Sequence, residues 1–141
     1  MNDDMKIAHL GFIQNIILRM AGNSFAIKGW SISLTAAIIA AGIALKSLMV
    51  IFLACIPVLF FIYLDSYFFL QEKNFRNLYN IVRVNEFDKN NPFDLTPPEN
   101  ISSLKITERL VRLGDKAVYP IYISQIVVIV LTLVIMAKFN P

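Results

Sequence analysis

Two apolar runs, residues 30–45 and 48–64, are parted only by Lys46 and Ser47, and a third run, 119–137, lies near the C-terminal end. Each is close to the roughly 20 helical residues that cross about 30 Å of hydrocarbon at 1.5 Å per residue. Two polar residues are too few for a soluble loop, so the first two runs are predicted to fold back on each other as a tight helical hairpin. A chain of 141 residues that is 57% hydrophobic cannot cover three such helices on every side. The expected class is therefore an all-α integral membrane protein, with lipid as its solvent.

That expectation narrows the function classes. The length leaves no room for a large soluble catalytic domain. The net charge of +3 is mild and gives no reason to invoke nucleic acid. Cys55, the single cysteine, lies inside the second run; it has no intrachain disulfide partner and is expected to pack as a small hydrophobe. Asp3 and Asp4, with no continuous apolar core ending at a small-residue cleavage site, argue against a cleavable signal peptide.

Four segments follow from the pattern. Residues 1–24 read as an amphipathic interfacial helix. Phe12, Ile13, Ile16, Ile17 and Met20 recur at three- and four-residue spacing, while Lys6, Gln14, Asn15 and Arg19 fall elsewhere. Such a helix lies on the membrane or packs against another helix. Gly22-Asn23-Ser24 is expected to end it, the glycine as a C-terminal stop and Asn23 or Ser24 as the next N-cap.

Residues 25–70 are the expected transmembrane hairpin, with Lys28 and Trp30 at the headgroup level. Ser33, Ala37, Ala41 and Ala44, with Ala36 and Ala40 alongside, form a row of small residues that suits close helix approach. The row fits either packing on span two or an oligomer interface between copies. Pro57 is expected to kink span two.

Residues 71–118 are expected to hold a cytoplasmic stalk, a loop and a short helix. No glycine or proline interrupts 65–82, and Leu64, Phe68, Phe75, Leu78, Tyr79 and Val82 fall near one helical face, so span two is predicted to run on to about residue 84. Pro92, Pro97 and Pro98 mark the loop, which Phe93 and Leu95 are expected to pin to the stalk. Residues 101–113 read as a short basic helix whose Lys105, Arg109 and Arg112 are candidates for docking a soluble cytoplasmic partner. Residues 119–141 are the third transmembrane helix and the C-terminus, with Pro120 tolerated in its first turn.

Lys and Arg set the orientation. Eight of them lie between spans two and three, whereas the opposite side offers only Lys46 and Lys138. This bias places the N-terminus and residues 71–118 in the cytoplasm and the C-terminus outside. No catalytic constellation is visible: His9 is the lone histidine, and there is no Gly-rich phosphate loop and no CxxC. The expectation is a protein that is not an enzyme and carries no metal or cofactor. Asp65, Gln125 and Thr132 are the polar candidates at membrane depth, where an ionisable group is a functional hypothesis by default. Asp65 has the alternative of pairing with Lys28. Gln125 has the choice between an interhelical hydrogen bond, worth about 1 kcal/mol, and a wetted pore-lining position in an oligomer. One three-helix chain cannot enclose a pathway, so conduction would require several copies.

The strings Phe12-Ile13-Gln14-Asn15, Arg19-Met20-Ala21-Gly22-Asn23-Ser24-Phe25, Lys28-Gly29-Trp30, Leu64-Asp65-Ser66-Tyr67 and Gln71-Glu72 resemble a group of small bacterial multi-span membrane proteins that accompany anti-phage and other conflict systems. The resemblance covers about residues 6–95. It implies a bacterial inner-membrane location and a membrane-disrupting effector role, and it carries no catalytic or ligand-binding residue onto this chain. Two functional expectations result. The first is a homo-oligomeric, pore-like effector triggered through its cytoplasmic segment. The alternative is a non-conducting membrane anchor or scaffold that docks a soluble partner.

Overall fold

The structure, a computed structural model, describes residues 2–84, 93–98 and 119–139. Its helices are α1 (Asn2–Ala44), α2 (Leu48–Leu53), α3 (Cys55–Val84) and α4 (Tyr119–Phe139), with no strand among the described residues. Three stretches, Asp3–Ala44, Leu48–Val84 and Tyr119–Lys138, are long and apolar enough to cross a membrane, which marks the chain as a membrane protein. Helices meet the main demand of that solvent, because each satisfies its backbone N–H and C=O groups internally. Phe25, Trp30, Phe52, Leu59, Phe60 and Ile135 all point outward. Hydrocarbon solvates such a surface at no cost.

α1 corrects the expected break at Gly22–Ser24 and with it the separate helix over 1–24. It is one uninterrupted helix of 43 residues. Gly22 keeps a helical backbone, since no glycine among the described residues has a positive φ. Ser24 does not cap; its side chain is buried and donates a hydrogen bond to Asp65 on α3. A glycine within a helix costs about 1 kcal/mol relative to alanine, and long-range contacts on both sides of it offset that. N-terminal to the glycine, Ile13 and Ile17 pack on Leu78 of α3, with Phe75, Tyr79 and Val82 around them.

α1 and α3 run antiparallel, as contacts at both ends and the middle of α1 show. Lys6 Nζ donates to Arg83 O at 3.1 Å, Ser24 meets Asp65, and Gly42 touches Ile51 of α2. The reversal between α1 and α2 takes three residues. Lys46 adopts the left-handed conformation with φ 49°, a strained choice for a residue with a Cβ. Ser47 N donates to Gly42 O at 2.9 Å, and the Ser47 hydroxyl accepts from Val50 N as the N-cap of α2. Gly42 is required here by close approach. A Cβ on it would clash with Ile51 Cγ1 and sit 3.0 Å from Ile51 N.

The irregularity expected from Pro57 falls three residues earlier. α2 ends at Leu53, and Ala54 N bonds to Ile51 O at 3.1 Å before α3 begins at Cys55. Pro57 has no N–H to offer the Leu53 carbonyl, and its ring crowds that oxygen. α4 then packs into the α1–α2–α3 corner through Tyr122 and Ile129, which join Ile39, Ile51, Ala54 and Val58 in one core cluster.

At the far end of α1, residues 93–98 lie against it. The Phe93 ring meets His9 at 6.0 Å and Phe12 at 5.8 Å, both edge-on, and His9 Nε2 lies 2.9 Å from Asp94 O. Phe93 therefore holds this segment on the N-terminal part of α1, and Leu95 remains exposed. Hydrogen bonds from the Thr96 side chain and amide hold the Asp94 carboxyl below its ordinary value. That local contribution is present above the ordinary carboxylate pKa of 3.8 and is lost as pH falls through the lowered value. The expected 101–113 helix, with Lys105, Arg109 and Arg112, lies outside the described residues.

The two glycines make opposite predictions. A Cβ at Gly22 meets nothing within 4 Å, so Gly22→Ala is expected to stabilise the protein by about 0.5–1 kcal/mol. Gly42→Ala is expected to destabilise it by about 1–3 kcal/mol through overpacking. Thermal unfolding in detergent, followed by circular dichroism, checks both. A loss of stability in Gly22→Ala would restore the broken helix.

Candidate functional site: a polar seam between the helices

Ser24, Lys28, Ser31 and Thr35 follow one another on α1 at spacings of four, three and four, which keeps them on one helical face. Ser24, Ser31 and Thr35 are buried, and Ile39 and Gly42 continue the same face. The seam meets α3 and α4 in two polar layers.

The first layer surrounds Asp65, whose side chain is fully buried. The Lys28 ammonium lies 2.8 Å from Oδ1 and 2.8 Å from Oδ2, and it donates to Ser24 Oγ at 2.6 Å. Ser24 in turn donates to Asp65 Oδ1. Oδ2 is ion-paired with the ammonium but off the line that a hydrogen bond needs, so some of its acceptor capacity is unmet. The Tyr122 hydroxyl of α4 donates to Phe61 O at 3.3 Å, beside the same carboxylate. A lone carboxylate at this depth would cost several kcal/mol. Paired with Lys28 the group has no net charge, and the lysine side chain stays partly exposed.

The second layer is centred on Gln125 of α4. Its Oε1 accepts from Ser31 Oγ at 2.9 Å and from Thr35 Oγ1 at 3.1 Å. Its Nε2 is buried without a partner. Beside it a groove of about 230 Å³ opens between α1 and α4.

The sequence candidates separate accordingly. Asp65 and Gln125 both join the seam, each bonded to α1. Thr132 does not; its hydroxyl donates to Val128 O of its own helix at 2.8 Å. Ser33, Ala37, Ala41 and Ala44 are all exposed on the outer side of α1. Of the two alternatives for this row, packing on span two is the one its exposure contradicts. The face bearing Ser24, Ile27, Ser31, Thr35, Ile39 and Gly42 packs inside the protein instead, because its hydroxyls meet acceptors there and Gly42 admits Ile51. Sequence reading missed Ser24, Ser31, Thr35 and Tyr122. Their signal was the three–four spacing of hydroxyls with Lys28 along an otherwise apolar helix.

Chemically, the seam is a clamp: it neutralises one carboxylate and ties three helices together. No group of three or more His, Cys, Asp or Glu side chains comes together among the described residues. No protein-family model, curated protein or solved structure matches the chain.

If the pair is the clamp, breaking one side is far worse than removing both. Lys28→Met alone is expected to cost about 3–5 kcal/mol, and Lys28→Met with Asp65→Leu to recover most of it. Unfolding by titrated denaturing detergent measures the difference. Equal losses in the single and double variants would contradict the pairing.

Proposed function

We propose that the chain is a non-conducting membrane scaffold of the bacterial inner membrane that docks a soluble partner. The observation behind this reading is the direction taken by the polar groups at membrane depth. Lys28, Ser31, Thr35, Asp65 and Gln125 turn toward one another between the helices, while the outward faces carry phenylalanine, isoleucine, leucine and valine. A conduit assembled from copies needs charged or polar rings on an outer face of each. Asp65 and Gln125 are buried within the protomer, and Thr132 gives its hydroxyl hydrogen to its own backbone.

Helix lengths support a stalk outside the bilayer. α4, with 21 residues, is about 31 Å long and matches one crossing. α1, with 43 residues, is about 64 Å long, twice what the hydrocarbon needs. In this reading residues 25–70 form the transmembrane hairpin, and the N-terminal part of α1 leaves the membrane together with the end of α3 as a two-helix stalk. The excess of Lys and Arg between α3 and α4 puts that stalk in the cytoplasm and the C-terminus outside. Lys105, Arg109 and Arg112 are the docking residues for the partner.

The outer row Ser33, Ala37, Ala41 and Ala44 favours a second reading, a homo-oligomeric pore-like effector of a defence system, since small exposed residues let copies approach closely. Expression in bacteria carrying a potential-sensitive dye separates the two. The scaffold leaves the membrane potential unchanged under every inducing condition, and charge reversal at Lys105, Arg109 and Arg112 abolishes co-purification of the partner. Collapse of the potential on induction would favour the effector.

A further inference from the structure

We infer that the groove between α1 and α3 in the stalk receives an acidic amphipathic helix of the soluble partner. The groove has a volume of about 300 Å³ and is lined by Gln14, Ile17 and Leu18 of α1 and by Arg76, Tyr79 and Asn80 of α3. Ile17 is buried, Leu18 beside it is 61% exposed, and Tyr79 is half-buried, so the floor is apolar and only partly covered. Gln14 and Asn80 are exposed and bring an amide from each helix, with a donor and an acceptor apiece. Arg76 places Nε and Nη2 each 2.8 Å from Glu72 Oε1, which leaves the Nη1 donors for a ligand.

Charge decides the class of occupant. Lys73, Arg76 and Arg83 are exposed and, at spacings of three and seven, share one face of α3. Glu72, the acid nearest to them, is held by Arg76. Asp3 and Asp4 lie ten or more residues before Gln14, at least about 15 Å away along α1. A free anion would answer the cations and leave Leu18 and Tyr79 uncovered. A flat bilayer surface would meet the rims and miss the recessed Ile17. An acidic amphipathic helix does both. Its apolar face enters the groove between the two helices, a recurrent mode of peptide recognition, and its carboxylates meet the α3 cations. Tyr79 and Arg76 are residue types that carry much of the energy in such contacts. Arg76 stands eleven residues beyond Asp65, about 16 Å further along α3. The inference deepens the scaffold reading and rests on it in one respect, that this part of the stalk stands in water.

Fluorescence anisotropy with the full-length protein in phosphatidylcholine nanodiscs tests it. The probe is a labelled peptide of about twelve residues, long enough as a helix to follow the α3 cations, with leucine at every third or fourth position and glutamate elsewhere. The wild type should bind it saturably and should not bind the same peptide with lysine in place of glutamate. Arg76→Gln should weaken binding about tenfold, and Leu18→Glu, which sets a carboxylate on the apolar floor, by about tenfold or more. Asn77→Ala, exposed on α3 but outside the groove, should leave it unchanged, as should charge reversal at Lys105, Arg109 and Arg112. Circular dichroism should show every variant folded. No binding by the wild type overturns the inference, as does binding indifferent to both Arg76→Gln and Leu18→Glu. Loss on the triple reversal alone would overturn it in favour of the 101–113 segment. Loss of peptide binding when phosphatidylglycerol is added to the nanodiscs would overturn it in favour of an anionic membrane surface. A collapse of membrane potential on induction would end the scaffold reading and leave this binding in place, so the two fail separately.

Discussion

A charged carboxylate inside a helix bundle in lipid has few ways to exist, and the Lys28–Asp65 pair is the one this chain uses. Because the cost of an unpaired charge there is measured in several kcal/mol, the pair fixes how α1 sits on α3 along and around the helix axis. Ser24 takes its place as a donor to the same carboxylate, and a local signal for ending the helix gives way to that bond. The Lys28 side chain remains partly exposed beside the fully buried Asp65. Tyr122 and Gln125, three residues apart on α4, then align the third helix on the same seam.

How far this could be read from the amino-acid order depends on the kind of force involved. The apolar runs 30–45, 48–64 and 119–137 announce membrane-crossing helices because hydropathy sums over many residues and needs no partner to be recognised. The meeting of Lys28 with Asp65 was also within reach, since a two-residue connection brings both to the same boundary. The continuity of α1 was not. Gly22-Asn23-Ser24 is a valid local stop, and only the position of Asp65 on another helix makes Ser24 more valuable inside the helix than at its end. The inward face of α1 was hidden for a related reason. Small side chains and hydroxyls both suit helix contacts in lipid, and α1 carries both, on different faces; the acceptor on Gln125 and the bulk of Ile51 at Gly42 decide between them.

Turn and kink show the same balance of local cost against tertiary gain. Lys46 takes a left-handed backbone that a glycine would adopt more easily, because the tight return seats Ile51 against Gly42 at full burial. Pro57 disturbs the helix at Ala54, yet Ala54 and Val58 are both buried in the core shared with α4. The irregular turn is thus covered by protein, which is where a membrane tolerates one.

The unbroken course of α1 ties remote parts of the molecule to a single angular phase. His9 and Phe12 hold residues 93–98 at one end, Ile13 and Ile17 sit on α3, and Lys28 to Thr35 form the seam. At 3.6 residues per turn, one residue added anywhere between Ile17 and Ser24 rotates everything beyond it by about 100°. Such an insertion would swing either the ammonium away from Asp65 or the upstream isoleucines away from α3. Homologues of this chain should therefore change length at the ends or in the 85–118 segment, and keep the count between these anchors constant.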